Sequence, residues 1–215
     1  MFNRIEFKRS ARKQLKGKWA LSLFVTFLSL CIIFLFIPTK SKSSLFSIIT
    51  LIFIAVTGII TNARIKTFFT YARNRENLNI SFNLFLLGLE DWSRGIVASF
   101  IIYIKCVLWA CLLVIPGFVA LYKYSLTYFL LADNKTLSAK KAVRLSAILT
   151  RGYKADLFLL HLSFLPLIVL SLITFGIGFL WTIPYIETAT ANAYLCIKHS
   201  ALKQNILDAE DFAGK

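Results

Sequence analysis

Six apolar runs, each about as long as a bilayer's hydrocarbon core is thick, occupy most of this 215-residue chain. They extend from Trp19 to Ile37, Leu45 to Ile60, Ile96 to Ile115, Phe118 to Leu131, Leu157 to Thr174 and Ile177 to Cys196. A helix needs roughly 20 apolar residues to cross lipid. The short second run reaches that length by taking Ser43 and Ser44 or Thr61, and the fourth is extended by Ala132. With 58% hydrophobic residues and 20 Phe, the chain holds more apolar surface than one globular core of this length can hide from water. The expected fold is an all-α membrane protein: one polytopic domain over residues 1-215, with about six transmembrane helices paired as three hairpins.

Orientation follows from lysine and arginine, because acidic residues contribute little to the positive-inside bias. Twenty-one cations flank the runs on one side, whereas only Lys40 and Lys42 lie on the other; Lys105 and Lys123 fall inside runs. Both termini are therefore expected in the cytoplasm, with residues 198-215 as a polar cytoplasmic tail. The formal net charge of +15 would also suit nucleic acid. However, cations bordering apolar runs are explained by topology and by attraction to an anionic inner leaflet, so lipids are the expected partner and nucleic acid is not.

A polar stretch with helical apolar spacing precedes each hairpin. Phe2, Ile5, Phe7, Ala11 and Leu15 form the first stretch, Phe82, Leu84, Phe85, Leu87 and Leu89 the second, and Leu137, Ala139, Ala142, Val143, Leu145, Ile148 and Leu149 the third. Such segments suit the membrane surface, with apolar residues among the headgroups. Each ends near a ring, Trp19, Trp92 or Tyr153, an expected interface anchor. The inferred unit is an amphipathic cytoplasmic-face helix followed by a hairpin, over approximately 1-61, 78-133 and 137-197. Two outer turns are expected where proline or glycine interrupts the apolar pattern: Pro116-Gly117 and Gly176-Ile177-Gly178.

Ionisable groups at membrane depth are costly, so each is expected to have a partner or access to water. Lys105 lies about ten residues from Pro116 and Glu187 about nine from Gly178, a depth of roughly 15 Å for each. This match predicts a Lys105–Glu187 pair, serving either as a neutralising contact or as part of a polar binding or proton-relay site. Asn192, with Thr188 and Thr190, continues a polar stripe from Glu187, and Lys123 sits among Tyr122, Tyr124 and Tyr128. Pro166 is expected to kink the fifth run, and His161 is expected to be a hydrogen-bonded packing residue. Cys31, Cys106, Cys111 and Cys196 lie in apolar runs without metal-ligand spacing, which makes them packing residues. The chain has no Gly-x-Ser-x-Gly, His-Glu-x-x-His or Gly-x-x-x-x-Gly-Lys motif. Neither an enzyme nor a cofactor or metal is expected.

Ile115-Pro116-Gly117, Tyr124, Tyr128, Ala132-Asp133, Gly152, Leu162-Ser163-Phe164, Gly176-Ile177-Gly178, Leu180-Trp181, Pro184-Tyr185 and Tyr194 occur together in order. On these elements the second half resembles the bacterial integral-membrane family called domain of unknown function 975. It departs from that pattern at Leu165-Pro166-Leu167. The resemblance implies a multi-pass protein of the bacterial cytoplasmic membrane with about six helices, and it carries no activity. The function expected is non-catalytic: an accessory, scaffold or protective component acting through lipids, other membrane proteins or peptides. The alternative is a small transporter or channel with a polar site around Lys105, Glu187 and Asn192.

Overall fold

A computed structural model describes residues 2–35, 45–73, 83–112, 114–207 and 212, and all regular structure among them is helical. Lys40 and Lys42, the segment with Arg75 and Asn79, and most of the tail beyond 207 lie outside the described residues. The helices are α1 (Arg4–Leu15), α2 (Trp19–Leu35), α3 (Leu45–Arg73), α4 (Asn83–Glu90), α5 (Trp92–Leu112) and α6 (Val114–Tyr124). They are followed by α7 (Thr127–Asp133), α8 (Ala139–Leu149), α9 (Lys154–Leu162), α10 (Leu165–Ile173) and α11 (Phe179–Lys203).

Local chemistry sets the ends of the amphipathic helices. The Asn3 side chain accepts from the Ile5 and Glu6 amides at 3.2 and 3.3 Å, satisfying donors that the first turn of α1 leaves open. Glu6 near that end and Arg12 and Lys13 near the other complement the helix dipole. Ser138 caps α8 through the Lys141 amide. After α1 and α8 the chain turns through Gly17 and Gly152, at φ +81 and +90, where a side chain would strain the backbone. Trp19 then opens α2, Trp92 opens α5, and Tyr153 immediately precedes α9. All three expected anchors thus stand where an amphipathic helix hands over to an apolar one.

The amphipathic helices lie differently from the surface arrangement expected. α1 buries Phe7, Ala11 and Leu15, and α8 buries Ala142, Val143, Leu145 and Leu149. α1 packs on α11 and α3, and α8 on α5 and α7. Their apolar stripes are covered by protein instead of headgroups because the neighbouring helices offer a complementary core.

Three stretches are long and apolar enough to cross a membrane: Ile48–Arg73, Trp92–Trp109 and Lys154–Ile173. α1 and α2 qualify only as a pair bent by 99°, so α1 lies across α2. The expected fourth run is divided between α6 and α7 at Ser125-Leu126, and α11 is interrupted by polar residues. Between the α9 and α10 segments the helix breaks at Ser163-Phe164, with Pro166 in the first turn of α10, as proline's missing donor requires. Large apolar side chains remain uncovered: Phe34 is 75% exposed, Leu108 66% and Ile173 69%. Exposed apolar side chains along these helices suit contact with lipid or with another protein.

One expected turn is displaced. Pro116 and Gly117 fall in the first turn of α6, where proline's missing amide costs nothing. The other turn is where it was expected. The Gly176 amide donates to the Ser171 carbonyl at 2.9 Å and the Phe175 amide to Leu172 at 3.1 Å, closing the end of α10. A Cβ on Gly178 would stand 2.6 Å from the Ser171 Cα. Its absence lets α11 fold back so closely that Ser171 and Thr182 share a hydrogen bond of 2.9 Å.

Candidate functional site

The polar residues of α11 form a seam, and each meets a different neighbour. Glu187 Oε1 lies 2.8 Å from Arg64 Nη2 of α3, with both side chains largely buried. Asn192 Nδ2 donates to Gln14 Oε1 of α1 at 2.8 Å and to the Thr188 carbonyl at 3.0 Å, and its Oδ1 accepts from Gln14 Nε2 at 3.2 Å. Lower on the seam, Asp133 at the end of α7 accepts from Arg73 at 3.0 Å, from the Tyr194 hydroxyl at 2.9 Å, and from Lys198. A cavity of about 470 Å³ beside Glu6, Ser10, Arg73, Asn192 and Cys196 opens onto this region.

The seam also fixes relative direction. Along α3 and α11, Arg64 meets Glu187, Phe69 meets Tyr194 at 5.7 Å, and Arg73 and Lys198 meet on Asp133. Both helices therefore run the same way.

This geometry corrects the predicted Lys105–Glu187 pair. α3 packs against both α5 and α11, and it is α3 that supplies the cation. Lys105 instead lies over the Tyr124 ring at 5.1 Å. Lys123 also faces Tyr124, at 5.5 Å, while its carbonyl accepts from Ser146 and Thr150 at 3.0 and 3.1 Å. Asn192 belongs to a bond with α1, and neither Lys105 nor Lys123 joins it.

Arg64 and Gln14 were missed for identifiable reasons. The apolar run ends at Ile60, but Ile65, Phe68, Phe69 and Ala72 repeat at helical spacing and are all buried, so α3 continues through Arg64. Gln14 lies between Ala11 and Leu15 on an amphipathic helix, where a lone amide gives no signal of its own.

A second ionic cluster ties α3 to the entrance of α5. Asp91 receives Lys66 at 2.8 Å and Arg94 at 2.7 Å. Arg94 also donates to the Asn134 and Leu137 carbonyls, at 3.0 and 3.4 Å. Burial alone would raise the Asp91 carboxyl, but the hydrogen bonds and charges of Lys66 and Arg94 outweigh it and hold the group below its ordinary range. His161 fills a packing role, with Nδ1 2.8 Å from the Leu157 carbonyl and its ring against Tyr122.

Chemically, the seam brings opposite charges and matched amides together across helices, an arrangement that neutralises and locks. Among the described residues, Glu187 Oε2 and Arg64 Nε are buried atoms of the seam without a hydrogen-bond partner. No curated protein and no solved structure matches the chain. Residues 111–201, from the end of α5 through most of α11, match the family described as protein of unknown function (DUF975).

Proposed function

We propose that the protein is a non-catalytic, multi-pass scaffold or accessory component of the bacterial cytoplasmic membrane, with its cation-rich face in the cytoplasm. The observation that carries this reading is the division of surfaces. Apolar side chains face outward along α2, α5 and α10, while the polar and charged groups of α11 are spent on α1, α3 and α7 inside. In this reading six rods cross the membrane: α2, α3, α5, α6 with α7, α9 with α10, and α11. The parallel run of α3 and α11 agrees with both ending on the cytoplasmic side.

The transporter reading has one observation in its favour, the unpartnered Oε2 and Nε of the Glu187–Arg64 pair, which a passing proton or ion would use. The test is proton flux into proteoliposomes, comparing the native chain with an Arg64→Met/Glu187→Leu variant. A scaffold predicts that both match protein-free liposomes and that the variant stays monodisperse in detergent. Flux by the native chain that vanishes in a folded variant supports a transporter instead.

A further inference from the structure

Lys8 and Arg12 lie one turn apart on α1 and line the same cavity of about 360 Å³, whose other walls are Trp19, Leu167, Trp181, Thr182 and Tyr185. Lys8 is fixed by the break in the fifth run: its ammonium donates to the Ser163 carbonyl at 3.0 Å and hydroxyl at 3.3 Å, and stands 4.5 Å over the Phe164 ring. An ammonium has three donors, so one remains for a ligand. Arg12 makes no hydrogen bond or ion pair among the described residues, and no carboxylate lines the cavity. The site is therefore electropositive and walled by two indole rings, the side chains that favour headgroup depth.

A second cavity, of about 420 Å³ and almost wholly apolar, lies farther along α2 and the α10–α11 hairpin. It is bounded by Phe27, Leu30 and Phe34 of α2 and by Ile177 and Leu180 of the α10–α11 hairpin. Trp19 and Phe27 are eight residues apart on α2, about 12 Å. A cationic pocket followed by an apolar trough is complementary to an amphiphile with an anionic head. We propose that the groove between α2 and the α10–α11 hairpin binds one anionic phospholipid, its phosphate between Lys8 and Arg12 and a fatty chain along the apolar trough. This rests on the membrane reading above and adds a defined site to it.

Native mass spectrometry of the detergent-purified full chain, given phosphatidylglycerol or phosphatidylcholine, reads the site directly. The native protein is expected to retain phosphatidylglycerol preferentially. K8Q/R12Q should lower that preference about 30-fold, and R12Q alone, which removes no bond within the protein, about 5-fold. The charge-matched R9Q/K13Q control should leave it unchanged. Equal loss in the control, or no loss in R12Q, overturns the proposal. Competition by millimolar inorganic phosphate as effective as that by the lipid would make the pocket a free-anion site and overturn it as well. A chain that elutes folded without detergent contradicts the membrane reading instead, so the two failures are distinguishable.

Discussion

Glu187 is held by one cation, and its burial decides what removing that cation does. A buried charge left alone costs about 3–5 kcal/mol, whereas replacing both partners by apolar groups is often neutral. Arg64→Met or Glu187→Leu alone should therefore lower the unfolding midpoint in mixed micelles by an amount in that range, and the double variant should recover most of it. Asp91 makes the opposite use of charge. Its carboxyl is depressed by Lys66 and Arg94, so its contribution is present in full above the ordinary carboxylate range and is lost as pH falls through the lowered folded value. The stability gap between the native chain and Asp91→Asn, followed by thermal melting across pH, should be constant near neutrality and close on acidification. A gap that is independent of pH would contradict this assignment. At this scale Glu187 and Asn192 were legible from the sequence, because a polar group in an apolar run is conspicuous. Their partners were not legible, because an arginine beyond an apolar run looks like a loop residue until the helix is known to continue.

Between elements, close approach is set by missing side chains. A Cβ on Gly58 of α3 would stand 2.3 Å from Ser99 Oγ and 2.7 Å from the Gly95 carbonyl of α5, and one on Gly88 of α4 would stand 2.5 Å from the Ala63 Cα. Small residues at such crossings let helices meet where lipid gives no hydrophobic drive for association. Gly58→Ala should therefore destabilise the protein by about 1–3 kcal/mol through overpacking, measurable as a lower midpoint in the same micelle titration. An unchanged midpoint would mean that α3 and α5 do not touch there. The elements were partly legible. The break near Pro166 and the turn at Gly176 and Gly178 follow from backbone chemistry alone. Pro116 misled because proline ends one helix and begins another equally well, and only the preceding residues decide which. The amphipathic spacing of α1 and α8 gave the helices correctly but could not say what would cover their apolar faces, since lipid and a protein core demand the same pattern.

For the molecule as a whole, an amphipathic helix, a ring and apolar helices recur three times in order along the chain. The most direct test of the membrane account is single-cysteine labelling in a background without Cys31, Cys106, Cys111 and Cys196. One cysteine replaces exposed Arg151, before α9, and another replaces Phe175, fully exposed at the α10–α11 turn. In intact cells, a membrane-impermeant maleimide should label the Phe175→Cys protein and reach the Arg151→Cys protein only after the membrane is opened. Labelling of both from the same side would contradict the account.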